Sequence, residues 1–533
     1  MKPYKIKNVA GHLATIFLAN PLTPILAFAI ILLGYLSLEV MPREEDPQIQ
    51  VSGGSIIVAI PGATPKEIEN VIIKPLERRI REIKGVEYIY GTALNNAGMI
   101  NIQYYIGQDR ESSNLKLYDK VMQHMDKLPK GTMAPLVKPF DIDIDIPILT
   151  VAFYKNSETK LDNIKLYKTI REIQQDINAL DNVSKTTLKG VKKPQFNVLI
   201  DLHKLSAYHI SLGEVAKAIR SISTNSPEID TTSSTGKLTV FGIKNAIEDI
   251  DDLKNLIVAQ YMGAPIYLKS LAKIEYSYDI QNFQSVLLSF QKKESTKLEF
   301  SDAGEQITLT ISKLKGTNAV TIAKDAIEEL AKNSEELKRQ GVGYIVTRNY
   351  GDRANEAVNE LVHHLIITIL IIAAILIPFL GWRESLVVTI AVPMILALTL
   401  FIAYLTDQTI NRITLFAFLL SLGLIVDDAI IVIENIHRRM RLPESKGLTS
   451  SQIIVQATDE IGPSTNIATI AIMLTMIPMA FVGGMMGQFM TPIPLNVPVA
   501  LAVSLFVSYV FAPYLAKKLI RFDELKESKG TAS

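Results

Sequence analysis

The stretch covering residues 413–436 constrains this chain most. It is apolar enough for a membrane helix, yet it carries two adjacent carboxylates, Asp427 and Asp428, near its middle. At a rise of about 1.5 Å per residue these 24 residues span about 36 Å, against a hydrocarbon core of about 30 Å. The midpoint falls near Leu424 and Ile425, which puts the pair only about 5 Å beyond it. A charged group at that depth costs from about 2.5 to more than 10 kcal/mol. Intramembrane carboxylates therefore point to an ion or proton path. A soluble helix with an acidic edge does not fit, because apolar residues surround the helix and leave no polar face for water.

Neighbours on a helix point about 100° apart, so Asp427 and Asp428 address different surroundings. Burial favours the neutral form of each and a nearby cation the charged form, which is the alternation a proton-coupled transporter needs. Glu434 lies seven residues beyond Asp427, nearly on its face, and Asn435 stands likewise to Asp428. The two extend a possible proton path; for Glu434 an anchor at headgroup level is the plainer reading. An aspartyl protease needs two carboxylates about 3 Å apart sharing a proton. Neighbours on one helix do not meet that geometry, and no other apolar run offers a carboxylate, so the chain does not read as an enzyme. No glycine-rich phosphate loop precedes a Lys-Ser/Thr pair, so ATP hydrolysis has no support.

With 533 residues the chain has room for several units. A mean hydropathy of +0.22 beside 20% charged residues averages two populations: apolar runs near the start and after residue 360, and a mixed composition between. The net charge of +1 gives no general bias toward nucleic acid. The lack of cysteine excludes disulfides and thiolate metal sites, and no metal ligand set stands out. His363 and His364 read as bystanders at the start of a span, and Met485, Met486 and Met490 as packing.

Six apolar runs are expected to span the membrane: residues 22–38, 361–380, 386–404, 413–436, 467–482 and 492–515. The first follows Lys2, Lys5 and Lys7 and ends without a small-residue cleavage site, so it reads as a retained anchor. Arg383, Arg438, Arg439, Arg441, Lys446, Lys517, Lys518 and Arg521 fall on the same side as the N-terminal lysines, and Arg412 alone on the other. The positive-inside rule then makes both termini cytoplasmic and the long segment of about 42–355 extracytoplasmic.

That segment reads as repeated helix and strand units. Thr64-Pro65-Lys66-Glu67 is a capping box opening a helix that stops at Gly85. Strands follow at 86–90 and 100–105. Asp162 opens a second helix, with Val183 and the alternation Phe196, Val198, Ile200 behind it; a third helix near 322–330 leads to a strand at 342–346. The recurrence suggests α+β sandwiches of the split βαβ kind. Residues of about 187–270 read as an inserted lobe, with a polar-tipped hairpin at 231–241.

Three stretches resemble a known family: Met41-Pro-Arg-Glu-Glu-Asp-Pro-Gln-Ile49, Gly316-Thr-Asn-Ala-Val320, and Asn411-Arg-Ile-Thr-Leu-Phe running into Gly423-Leu-Ile-Val-Asp-Asp-Ala-Ile-Ile-Val-Ile-Glu-Asn-Ile436. Together with six spans and a large outer loop after the first, they resemble the N-terminal half of a resistance–nodulation–division (RND) efflux permease of the acriflavin-resistance type. The resemblance implies an α-helical membrane domain of six transmembrane helices with a large α+β porter and docking segment between spans one and two. It implies a cytoplasmic N-terminus and first span over 1–41, porter subdomains over 42–186, a docking-type lobe over 187–270, porter completion over 271–355, spans two to six over 356–516, and a cytoplasmic tail over 517–533. It further implies a trimer in the bacterial inner membrane that exports hydrophobic or amphiphilic compounds, including drugs, by proton antiport, with Asp427 and Asp428 as the proton relay and no cofactor beyond the proton-motive force. Expected partners are a periplasmic adaptor protein, an outer-membrane channel and membrane lipid, with no nucleic acid. In the family the Asp pair meets a lysine on a span of the second half, and no lysine lies in the six spans here. The expectation is therefore a half-length permease needing a second-half RND chain. The alternatives are a truncated or non-transporting assembly or sensor subunit, or half of a heavy-metal exporter. A reporter that matures only outside the cytoplasm is expected to be active when fused at Lys155 or Asn156 and inactive at Ser533; activity at Ser533 would make the number of spans odd.

Overall fold

The computed structural model describes residues 4, 6–49, 51–141, 145–156, 162–222, 229–232, 238–241, 247, 249–279, 284–291, 300–445 and 447–521. Lys2, Lys5 and Lys446, the hairpin tip at 233–237 and the tail from 522 lie outside the described residues. Helix α1 (Val9–Leu18) precedes α2 (Thr23–Val40). The sequence reading had no helix at α1; Asn20 and Pro21 end its apolar pattern before a span's length is reached. The break is closed locally, with Leu22 N–H donating to Asn20 Oδ1 at 2.9 Å and Thr23 Oγ1 to the Phe17 carbonyl at 2.7 Å.

After α2 come two β-α-β-β-α-β units. In the first, β1 (Ser52–Ala59), β2 (Val86–Leu94), β3 (Ala97–Tyr104) and β4 (Leu136–Asp141) form an antiparallel sheet in the order β2-β3-β1-β4. The Thr64 capping box is formed, with Glu67 N–H donating to Thr64 Oγ1 and Thr64 N–H to Glu67 Oε2. Ile68, Ile72, Leu76 and Ile80 of the helical stretch it opens, with Leu117 and Val121 of α3 (Arg110–Met122), cover Ile56, Val58, Ile100 and Ile102 of the sheet. The stretch takes a π-helical turn over Glu69–Ile73, just before Pro75, which has no N–H to offer a regular turn.

The second unit opens with β5 (Leu149–Lys155), α4 (Asn163–Asn178) and β6 (Val183–Lys189). A lobe then intervenes. It contains β7 (Pro194–Ile200), the paired strands β8 (Ile229–Thr232) and β9 (Leu238–Phe241), the paired strands β10 (Ile257–Tyr261) and β11 (Ala264–Tyr267), and β12 (Ala272–Tyr278). Completion of the unit comes from the short β13 (Leu287–Leu288), β14 (Gly304–Lys313), α5 (Ala319–Lys332) and β15 (Val342–Asn349). Strand β14 pairs with both β5 and β6, and β15 with β5, all antiparallel. The alternating strand of Phe196, Val198 and Ile200 falls within the lobe expected at about 187–270; as β7 it pairs with β12 and packs its apolar side chains on the lobe's own core of Leu205, Leu253 and Leu268. Alternation shows that one face is buried, not which sheet receives it.

Asn349, the last residue of β15, caps α6 (Tyr350–Leu380) by accepting from Asp352 N–H. The strand therefore runs into the next long helix without a loop. The remaining helices are α7 (Trp382–Leu405), α8 (Arg412–Met440), α9 (Ser450–Ala480) and α10 (Pro492–Leu519). Among the described residues six helices are long and apolar enough to cross a membrane. Several are longer than the apolar runs. α6 starts eleven residues before residue 361, and α9 seventeen before residue 467. Both first halves are polar, so hydropathy passes over them. α8 and α10 sit at the centre of the bundle, while α6 and α9 leave most of their apolar surface uncovered. Close approach of helices is set by glycine: a Cβ on Gly34 of α2 would meet the Ala397 Cβ of α7 at 2.3 Å, and one on Gly11 of α1 would meet Asp459 Oδ1 of α9 at 2.5 Å.

Asp459, 1% exposed, is the anchor of the N-terminal segment. Its carboxylate accepts from Tyr4 hydroxyl at 2.8 Å, Lys7 N–H at 3.0 Å and Asn8 N–H at 2.8 Å, while Asn8 Nδ2 donates to the Asp459 carbonyl at 2.9 Å. Burial, and then the carboxylate itself, push the Tyr4 hydroxyl up to about 12. Because that value is raised, the contact is intact below the ordinary tyrosine range and is lost only as pH climbs through about 12. Asp459→Ala is expected to strip acceptors from the Lys7 and Asn8 amides, costing about 1–3 kcal/mol, and to accelerate hydrogen exchange over residues 7–11. Asp459→Asn should do less, because its remaining oxygen still accepts. Unchanged exchange in the alanine variant would show that α1 is held by apolar packing alone.

Candidate functional site

Helix α8 starts cleanly because Asn411 Oδ1 accepts from Ile413 and Thr414 N–H at 3.0 and 2.9 Å. It then runs 29 residues, about 43 Å. Two stripes divide it. Thr414, Ser421, Asp428 and Asn435 recur every seventh residue on the buried side, each no more than 6% exposed. Phe416, Leu420, Gly423, Asp427, Ile431 and Glu434 line the open side, where no other helix of the bundle covers them.

The two carboxylates therefore have unlike surroundings. Asp428 is 5% exposed between α8, α9 and α10. Its Oδ1 accepts from Thr469 Oγ1 of α9 at 3.1 Å, and its Oδ2 is buried without a hydrogen-bond partner. Buried Thr465 Oγ1 on α9 and Ser508 Oγ on α10 likewise have none. Ser504 of α10 closes the helix contact by donating to the Ile425 carbonyl at 2.8 Å, and Tyr509 hydroxyl donates to Asn466 Oδ1 at 2.9 Å. Thr469 also reaches the Thr465 carbonyl at 2.9 Å. A hydroxyl has one proton to donate. With Asp428 ionised that proton serves the carboxylate; with Asp428 protonated, the acid can donate to Thr469 and the hydroxyl can turn to the Thr465 carbonyl. The contact thus has an arrangement for each protonation state. Asp427 is exposed on the open stripe, and among the described residues no salt bridge reaches either carboxylate.

Glu434 shares the open stripe with Asp427, as the seven-residue spacing indicates, and Asn435 shares the buried one with Asp428. Asn435 is fully engaged: its Nδ2 donates to the Ala457 carbonyl at 2.7 Å and its Oδ1 accepts from Arg438 Nε at 2.8 Å. Below it Arg438 and Arg439 share Glu460 at 2.7 and 2.6 Å, and Arg439 also donates to Gln456. The sequence reading missed two buried carboxylates at this end of the bundle. One is Asp459, described above. The other is Glu384 of α7, 7% exposed, whose Oε1 lies 3.2 Å from His437 Nδ1 of α8. Each sits in the polar margin of a long helix, outside the window that hydropathy selects. His363 and His364 stand on the exposed side of α6, and Met485, Met486 and Met490 lie in or beside the short helix Gly484–Met490 between α9 and α10. A cavity of about 760 Å³ lined by Tyr4, Thr15, Arg439, Ser451 and Gln452 opens beside the N-terminal segment, away from the Asp pair.

The carboxylate pair is thus split between a buried file and an open face of a helix bundle. A family model described as the AcrB/AcrD/AcrF family matches residues 13–532, essentially the whole chain. The protein belongs to this family of RND permeases, which are membrane-embedded efflux transporters and not enzymes.

Proposed function

We propose that the protein couples proton entry to the export of hydrophobic or amphiphilic compounds across the bacterial inner membrane, with both termini cytoplasmic and the two α+β units and their lobe on the periplasmic side. The observation that carries this is the pair itself: two carboxylates on one apolar helix, Asp428 in a file of hydroxyls and Asp427 on an uncovered face. A buried carboxylate with one satisfied oxygen is costly when charged and comfortable when protonated. Proton binding and release at Asp428 therefore alter hydrogen bonding between α8 and α9.

Asp427 is available to a neighbour. Its stripe of Phe416, Leu420, Gly423 and Ile431 is suited to a second helical bundle, and a cation there would favour the ionised form. In this reading a second six-span RND unit supplies that cation, and proton arrival on the pair releases it. Glu434 and Asn435 extend the two stripes toward the cytoplasmic end. RND permeases generally form trimers and work with an adaptor and an outer-membrane channel. On that analogy the units at residues of about 45–140 and of about 141–186 with 271–340 are porter subdomains, and the lobe is the docking surface.

Asp427→Asn and Asp428→Asn test the reading. Both keep size and remove titration, so membrane levels and thermal stability should match or exceed wild type, because an amide costs less than a carboxylate at that depth. Drug accumulation in cells carrying the second RND unit should rise to that of cells without the pump in either variant, since the two carboxylates face different neighbours. Glu434→Gln should be milder. Wild-type export by the double variant at normal expression would overturn the proton relay and leave the pair as a structural contact.

A further inference from the structure

The segment 41–46, which follows α2, joins three parts of the molecule that no sequence motif connects. Toward the membrane bundle it lies beside the residues that enter α8. Glu44 N–H donates to the Ile410 carbonyl at 2.9 Å, Ile410 N–H to the Pro42 carbonyl at 2.9 Å, and Arg412 N–H to the Glu45 carbonyl at 3.2 Å. Arg43 and Ile410 form a parallel bridge, and the Arg412 guanidinium pairs with Asp46. Toward α6, Arg43 Nη1 donates to Asn355 Oδ1 at 2.9 Å.

Toward the second α+β unit the contact is a buried ion pair. Glu44 Oε1 lies 2.7 Å from Lys313 Nζ, the side chains being only 4% and 8% exposed. Lys313 is the last residue of β14, and six residues later Ala319 N–H, opening α5, donates to the Arg43 carbonyl at 3.1 Å. Helix α5 in turn presses on the start of α6, where a Cβ on Gly351 would meet the Ala319 carbonyl at 2.8 Å.

We infer that segment 41–46 is a clamp that carries axial movement of α8 into the second α+β unit, with Glu44 and Lys313 as positioning residues for transport. This rests on the relay reading of Asp427 and Asp428. The pair stands about 16 residues, or about 24 Å, from the clamped end of α8, and an intact helix transmits displacement along its axis. A buried charged pair suits the role because separating it leaves two desolvated charges, so the joint moves as a unit or not at all. The exposed Asp46–Arg412 pair, with side chains about half exposed, holds the other side of the same joint.

The chain has no cysteine, so distances can be read from a pair of introduced ones. Spin labels at Lys324→Cys on α5 and Leu405→Cys at the end of α7, both exposed in the structure, report the second unit against the bundle. Asp428→Asn is expected to shift the label distance. In Glu44→Gln or Lys313→Met that shift should vanish and export should fall to background at wild-type membrane levels, although the Asp pair is untouched. Should those variants fail to reach the membrane, Asp46→Asn serves, because a half-exposed ion pair contributes little to stability; a lost shift is again expected. An undiminished shift and normal export in the clamp variants would overturn the clamp while leaving the relay standing. Normal export by Asp428→Asn would instead overturn the relay, so the two failures are distinguishable.

Discussion

The structure depends on keeping one carboxylate out of both water and lipid. Asp428 is tolerable because three helices meet around it and bring hydroxyls with them: Thr465 and Thr469 from α9, Ser504 and Ser508 from α10. An isolated helix with this sequence would face lipid with a carboxylate near its midpoint. The central position of α8 and α10 in the bundle follows from that requirement, as does the small-residue and hydroxyl content of their shared face. Asp428 Oδ2, Thr465 Oγ1 and Ser508 Oγ in this file are buried without a hydrogen-bond partner.

The bundle is complete on one side only. Asp428 is enclosed, while Asp427, one residue away, is open together with a run of apolar side chains and Gly423. Two adjacent residues thus stand in unlike surroundings, one enclosed and one open. The 100° step of an α-helix makes that division unavoidable for any neighbouring pair.

Outside the membrane the design is one of continuity without loops. Strand β15 passes into α6 through a single cap, and the residues after α2 are held by ladder hydrogen bonds to the approach of α8. These short connections tie the second α+β unit to the bundle through hydrogen bonds and a buried ion pair. The lobe has its own centre: β7 and β12 form their own two-stranded pairing and enclose a separate core, with Lys192 reaching both Glu305 of β14 and the Tyr278 ring of β12.

Much of this was legible in the sequence. Apolar length identified the six helices long and apolar enough to cross a membrane among the described residues, the seven-residue spacing placed Glu434 with Asp427 and Asn435 with Asp428, and the Thr64 capping box marked its helix. These are local properties, fixed by rise per residue, helical period and cap chemistry. The sequence could not say which stripe of α8 would be buried, because both are apolar around their carboxylates and only packing against α9 and α10 chooses. It could not extend α6 and α9 into their polar halves, since burial there is supplied by tertiary contacts and not by hydropathy. It could not name the partner of β7, because strand partners lie far apart in the chain. Asp459 with the N-terminal amides, Glu384 with His437 and Glu44 with Lys313 are 53 to 452 residues apart in the chain, so only the folded arrangement brings their charges and dipoles within reach.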